Sequence, residues 1–336
     1  MENLKIAING FGRIGRTFFR TAHSKGLNIV AINDLVDLKT LLHLLKYDST
    51  YGQFAGNPEI NNEKLFIDGK EIKTYAYDNP EKLPWKELGI DIVVESTGVF
   101  TDYESVNKHL KAGAKLVIIT APATGIKKIK TFVLGANNEE FNSQHKIISM
   151  ASCTTNCLVP VAKVLEDYFG IKKASMNTVH SFTMDQKLQD APHKDLRRAR
   201  SALQSIIPTT TGATIAASQV LPKLENKMDG VSLRVPTVTV SIIDFVALVN
   251  KKVTKEEVND AFVQESKKPE WFGSLAVSDK PLVSSDFKGN EAGAIIDLLS
   301  TQVIDGNLVR VLAWYDNEMG YSYRLAEFIK YIGTKL

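Results

Sequence analysis

The chain has 336 residues, room for about two domains at roughly 150 residues each. Apolar residues make up 44% of it and charged residues 24%, with a formal net charge of +3. This composition excludes a wholly disordered chain, a collagen-like chain and a disulfide-dense mini-protein, and so small a basic excess points to no nucleic-acid or membrane partner.

The chain opens directly into folded-looking sequence at Leu4–Asn9, an apolar run that reads as a buried strand, with no basic and apolar leader before it. A helical pattern follows from Gly12 to Ser24, a second strand over Asn28–Asn33 and a helix over Asp37–Lys46. Tyr47–Pro84 is polar and broken by Gly and Pro, and reads as loops and short hairpins. Asp91–Glu95, Lys115–Ile119 and Lys146–Met150 are further buried-type strands. Strands alternating with helices predict a parallel sheet covered on both faces, an α/β dinucleotide-binding (Rossmann) domain. After about residue 170 the pattern changes to longer β-rich runs: Ala174–Phe182, Val231–Arg234, Val238–Asn250 and Leu308–Tyr315, with a helix over Lys255–Ser266. This predicts a second, α+β domain with a mostly antiparallel sheet. The uncharged stretch Ser201–Pro222 is too polar, and interrupted by Pro208, to span a membrane. The tail, Glu318–Ile332, reads as an amphipathic helix.

Gly10-Phe11-Gly12-Arg13-Ile14-Gly15 fits G-x-G-x-x-G between a strand and a helix. The first glycine allows the tight turn, the second lets a pyrophosphate approach the backbone, and the third lets helix and strand pack closely. Asp34 closes the next strand, placed to accept from adenine ribose hydroxyls and to repel a 2′-phosphate, which favours NAD over NADP.

The two cysteines are Cys153 and Cys157. Their number fits free thiols in a reducing cytoplasm. Ser152-Cys153-Thr154-Thr155-Asn156 sits between an apolar strand and a helical pattern. Cys153 is thereby placed at a helix N-terminus, where the helix dipole favours thiolate. Cys157, one turn on, reads as packing. Neither has the neighbours a metal site needs. A cysteine nucleophile needs a base. Of the six histidines only His180 closes a strong strand, although a core or surface histidine there is equally consistent with the residues. Thr209-Thr210-Thr211-Gly212 before a helix-like run is an oxyanion cradle or an ordinary cap. Arg234 within a strand implies an anionic partner, ligand or structural carboxylate. The basic run Lys194–Arg200 reads as a solvated face, an oligomer contact or a phosphate site, and lacks the aromatics of a nucleic-acid site.

Asn9–Arg16, Ser152–Asn156, His193–Arg200, Arg234–Thr237 and Trp314–Ser322 together resemble phosphorylating glyceraldehyde-3-phosphate dehydrogenase, in order along nearly the whole chain. The resemblance implies an NAD-binding domain over 1–151, with a C-terminal helix, 318–336, returning to it, and a catalytic domain over 152–317. It implies Cys153 as nucleophile and His180 as base. For the cofactor it implies Gly10, Gly12, Arg13, Ile14, Gly15, Asp34, Asp78, Thr97, Thr120 and Asn317. For phosphate it implies one site of Ser152, Thr154, Thr211 and Gly212, and another of Thr183 and Arg234 with Arg198 nearby. It further implies a cytoplasmic homotetramer acting on glyceraldehyde 3-phosphate and inorganic phosphate with NAD, with no metal, membrane or nucleic acid required. The expected resting state of Cys153 and His180 is a thiolate–imidazolium pair. Met184 and Ile215 depart from the family's common residues. The alternatives are erythrose-4-phosphate dehydrogenase on the same scaffold, or a non-catalytic RNA- or surface-binding role.

Overall fold

The computed structural model describes residues 4–336, which form two compact units. The first runs to Phe132 and adds Glu139–Ala151 and Leu325–Leu336; the second comprises Val133–Asn138 and Ser152–Arg324.

The first unit is built on a nine-stranded sheet. Its middle strand, Ile6–Asn9, is buried along its whole length, as its unbroken apolar sequence requires of a strand covered on both faces. Ile29–Asn33 pairs parallel on one side of it and Ile92–Glu95 parallel on the other. Leu116–Ile119, Ile147–Ser149 and Lys130–Thr131 extend the Ile92–Glu95 side, all parallel. The strand order therefore reverses beside Ile6–Asn9, and the crevice at the carboxyl ends of the strands there is where such sheets bind ligands. The polar region after Tyr47 contributes the meander Pro58–Asn61, Lys64–Ile67 and Lys70–Tyr75, which joins the sheet beside Ile29–Asn33.

The second unit holds an eight-stranded sheet that is antiparallel except at two pairs, Ile171–Ser181 with Met228–Val235 and Leu275–Ser278 with Ala294–Asp297. Ser241–Val249 and Leu308–Tyr315 alternate buried and half-exposed residues, so one face of the sheet is enclosed and the other is not. The enclosed face packs against the helix Cys153–Phe169, whose Leu158, Val161, Val164 and Leu165 join Phe245, Ile243, Val309 and Val311 in one core.

Four expectations shift. The strand expected over Val238–Asn250 begins only at Ser241, because Val240 has φ +66°, outside any strand conformation. The segment read as a cradle before a helix begins as an edge strand, Ile207–Thr210, where Pro208 is tolerated. The C-terminal helix is Met319–Gly333, and only Leu325 onward belongs with the first unit. Residues 319–324 of the helix stay with the second unit, where Arg324 is buried and donates to the carbonyls of Glu291 and Phe272. Residues 133–138 likewise join the second unit, with Val133 in its core and Gly135 so close to Trp271 that a Cβ would lie 2.6 Å from the indole.

Candidate active site

In the first unit, the turn after Ile6–Asn9 is fixed by contacts that only glycine allows. Gly10 has φ +89°, and a Cβ on it would lie 2.6 Å from Thr97 N. A Cβ on Gly15 would lie 2.1 Å from the Gly10 carbonyl oxygen, so the helix Arg13–Ser24 sits directly against the turn. Gly12 differs: a Cβ there would meet nothing within 4 Å. Gly12 is also the helix N-cap and supplies no side-chain cap. Open space before a helix N-terminus is what a pyrophosphate needs, so the residues fit a dinucleotide.

Asp34 is tied to this turn: Oδ2 accepts from Phe11 N–H at 2.6 Å and Oδ1 from Val36 N–H at 2.9 Å. A carboxylate has about four acceptor positions, which leaves capacity for ribose hydroxyls. Thr97 and Thr120 both lie beside the adjoining strand: Thr97 donates from N–H and Oγ1 to the Glu95 carboxylate, and Thr120 from N–H and Oγ1 to the Glu95 carbonyl. The Arg13 guanidinium is bound to the buried carboxylate of Asp48 at 2.7 Å, so its charge is already matched. Ile14 is half-buried behind it. Asp78 is exposed and makes no hydrogen bond to the other groove residues among those described.

In the second unit, Ser152 caps the helix Cys153–Phe169, its hydroxyl accepting from Thr155 N–H at 3.1 Å, and Cys153 is the first helical residue. Ala151, just before the cap, has φ +53°, a strained conformation for a residue with a Cβ. Cys153 Sγ lies 3.5 Å from His180 Nε2. The other ring nitrogen, Nδ1, donates to the Ser181 carbonyl at 2.7 Å, which fixes the tautomer that turns a lone pair on Nε2 toward the sulfur. Parallel register sets Arg234 beside His180. Arg234 donates to Thr183 Oγ1 at 2.9 Å and to Ser181 O at 3.3 Å, and its buried Nε has no partner among the described residues.

The electrostatics correct one expectation. Burial, aided by the Arg234 charge, lowers His180 from its ordinary value to about 3. Burial pushes the Cys153 thiol up, against the pull of Arg234. Cys157, fully enclosed and 3.7 Å from the Ala313 carbonyl, is pushed up much further. Both shifts run against the expected ion pair: burial disfavours a charge on His180, the nearby guanidinium opposes a second cation there, and the thiol of partly buried Cys153 is pushed up.

Thr183, Arg234 and Arg198 come together around Asp185. Its carboxylate accepts from Thr183 Oγ1 and, at 2.5 Å, from Arg198, while Arg198 Nε donates to Thr209 Oγ1 at 2.9 Å. Of the basic run, Arg198 turns inward and Arg200 pairs with exposed Asp190. The other expected phosphate site is not bonded into one cluster. Thr154 Oγ1 is engaged by Tyr315 OH at 2.9 Å and Ser152 Oγ by Thr155. Thr211 accepts from Ala213 N–H, and Gly212 caps the helix Ala213–Val220 with open space where a Cβ would stand. Asn317 is buried, its Oδ1 accepting from Ser181 Oγ at 2.9 Å and Ser241 Oγ at 3.1 Å. This leaves Nδ2 as the end without a partner among the described residues.

Two family models match in order: "Glyceraldehyde 3-phosphate dehydrogenase, NAD binding domain" over residues 4–103, and the C-terminal domain of the same enzyme over 152–317. The chain belongs to the glyceraldehyde-3-phosphate dehydrogenase family. It is 52% identical to glyceraldehyde-3-phosphate dehydrogenase of Geobacillus stearothermophilus over 334 residues, covering 99% of both chains. It is 50% identical to glyceraldehyde-3-phosphate dehydrogenase 1 of Bacillus subtilis, again over 99% of both. It is 52% identical to the chloroplastic GAPA1 enzyme of Arabidopsis thaliana over 96% of this chain and 82% of that one. Sequence reasoning did not single out Glu95, Asp185 or Tyr315, which hydrogen-bond the candidate site residues Thr97, Thr183 and Thr154. Asp185 has a weak local signal, an acidic residue two places after Thr183. Glu95 and Tyr315 close apolar strands and carry none: Asn9 and His109 reach Glu95, and Thr154 and Thr178 reach Tyr315, from distant segments.

Proposed function

We propose that the chain oxidises glyceraldehyde 3-phosphate and phosphorylates the product, with NAD, through a thioester on Cys153. The reading rests above all on the 3.5 Å approach of Cys153 Sγ to the acceptor nitrogen of His180, beside an arginine–threonine cradle. His180 Nε2 takes the thiol proton as Sγ attacks the aldehyde carbon, and returns it to the oxygen to complete the hemithioacetal. Base help of this kind contributes roughly 10²–10⁴-fold. NAD, when bound, would supply the hydride acceptor that takes the hemithioacetal to the thioester level. His180 takes the hydroxyl proton in that step. Inorganic phosphate then attacks the thioester carbonyl, the C–S bond breaks, and Cys153 leaves as thiolate with an acyl phosphate as product. Gly10, Gly12, Gly15 and Asp34 would hold the dinucleotide, and Asp34 favours NAD over NADP. Asn317 offers an amide donor whose orientation two serine hydroxyls set. Thr183, Arg198 and Arg234 suit one phosphate group, and Ser152, Thr154, Thr211 and Gly212 the other.

The chain acts as a homotetramer in the cytoplasm. Supporting assembly are the uncovered sheet face of the second unit and exposed apolar side chains between residues 184 and 206, among them Met184 at 85% and Leu196 at 82% exposure. The two free thiols suit a reducing compartment. The erythrose-4-phosphate alternative is not favoured, since the matched relatives are named for glyceraldehyde 3-phosphate. Cys153→Ala abolishes NADH formation from glyceraldehyde 3-phosphate and phosphate while NAD still binds. Residual turnover at the wild-type rate would remove Cys153 from the reaction.

A further inference from the structure

Behind the dinucleotide turn lies a chain of hydrogen bonds that the reaction above does not use. The Glu95 carboxylate is almost fully buried at the carboxyl end of Ile92–Glu95. It receives four donors: Thr97 N–H at 2.9 Å and Thr97 Oγ1 on Oε1, and Asn9 Nδ2 at 2.5 Å and His109 Nε2 at 3.1 Å on Oε2. His109, wholly buried in the helix Tyr103–Lys111, accepts on Nδ1 from the Trp85 indole N–H at 2.9 Å. An indole nitrogen only donates, so His109 Nδ1 is bare and its proton sits on Nε2, facing Glu95. Asn9 Oδ1 in turn accepts from Asn33 Nδ2 at 2.7 Å, and Asn33 is held by the Tyr77 backbone.

We propose that Glu95 is a positioning residue for the dinucleotide, its carboxylate oriented by Asn9 and by the Trp85–His109 pair so as to hold Thr97 against the Gly10 turn. Four donors converge on one carboxylate, and each is supplied by a different place in the fold or by Thr97 itself. A buried carboxylate is kept at such a place only with its acceptors filled. Thr97 N lies where a Gly10 Cβ would be 2.6 Å away, so any shift of Thr97 alters the space in which the pyrophosphate loop sits. Gly10 is secured from the same side, its carbonyl accepting from Ser96 Oγ at 2.7 Å and its N–H donating to Asn33 O at 2.8 Å. Glutamine cannot replace Glu95. Its amide has one acceptor end, so either the Thr97 pair or the Asn9–His109 pair would face an NH₂ group. His109 cannot adapt by moving its proton to Nδ1, because the Trp85 N–H is there.

The inference rests on the NAD reading, and wild-type calorimetry with NAD tests that reading separately: no binding by the wild type would overturn the cofactor assignment itself. Given binding, Glu95→Gln weakens NAD affinity at least tenfold at a temperature well below its melting point. The loss falls on KM for NAD and not on KM for phosphate. His109→Leu does the same, whereas His109→Gln, which keeps a donor toward Glu95 and an acceptor toward Trp85, binds within about twofold of wild type. In wild-type protein with ¹⁵N-labelled tryptophan, NAD moves the Trp85 indole resonance, assigned by its loss in Trp85→Phe, although Trp85 is buried. Equal NAD affinity of folded His109→Leu and His109→Gln, or an indole resonance unmoved by saturating NAD, would overturn the proposal, as would a Glu95→Gln that lowers the melting temperature with unchanged affinity.

Discussion

Arg234→Gln separates two jobs that the structure gives to one guanidinium. The first is anion binding: the group donates to Thr183 Oγ1 at 2.9 Å, and its buried Nε has no partner among the described residues. A hydrogen bond to a charged group contributes roughly 1.5–3 kcal/mol, so losing one such bond to a phosphate raises KM for glyceraldehyde 3-phosphate about 10- to 150-fold. Unphosphorylated glyceraldehyde, which lacks that group, should be affected far less. The second job is electrostatic. The cation favours the ionised form of Cys153 and opposes a charge on His180. Its removal raises the thiol and relieves His180, so the pH profile of Cys153 alkylation by iodoacetamide moves to higher pH. Steady-state kinetics with both aldehydes, and alkylation rates across pH, measure the two effects independently. Equal loss on both aldehydes with an unmoved alkylation profile would refute the assignment of Arg234 to either job.

Three further outcomes follow from particular contacts. Gly15→Ala forces a Cβ against the Gly10 carbonyl and costs about 1–3 kcal/mol of stability, whereas Gly12→Ala, with open space before it, melts like wild type yet binds NAD more weakly; thermal melts paired with NAD titration distinguish them. Tyr315→Phe removes the hydroxyl shared by Thr154 and Thr178, at 2.9 Å each, and leaves the buried Thr178 hydroxyl unpaired; urea denaturation should show a loss of about 1–3 kcal/mol and phosphate kinetics a raised KM. His180, lowered to about 3 in the fold from 6.5, binds its proton first in the unfolded chain. Stability attributable to it is therefore intact above about pH 6.5 and falls on acidification towards pH 3, by at most roughly 1.4 kcal/mol per pH unit. Denaturation midpoints of wild type and His180→Asn across that range should converge as the pH drops.

What could be read without coordinates is what short-range chemistry controls. The run Ile6–Asn9 ending in Gly10-x-Gly12-x-x-Gly15 announces a strand, a turn and a helix because apolar burial and backbone freedom act on adjacent residues. Ser152 before Cys153 announces a capped helix start for the same reason, and both lie where expected. The second sheet's β-rich runs were equally visible, though their limits and the alternation of buried and half-exposed residues along them were not: the positive φ of Val240 and the edge strand Ile207–Thr210 depend on neighbours elsewhere in the chain.

Only tertiary structure decided which groups meet. Arg234 stands next to His180, 54 residues away, through strand register. Asp185 gathers Arg198 as well as nearby Thr183, Tyr315 reaches Thr154, and Glu95 is reached by His109 and Asn9, and these long-range meetings have no local signature. Protonation belongs in the same class. A helix N-terminus suggests a thiolate, but the burial of His180 on the enclosed sheet face beside Arg234 disfavours the imidazolium that would pair with it, and burial is a property of the assembled fold.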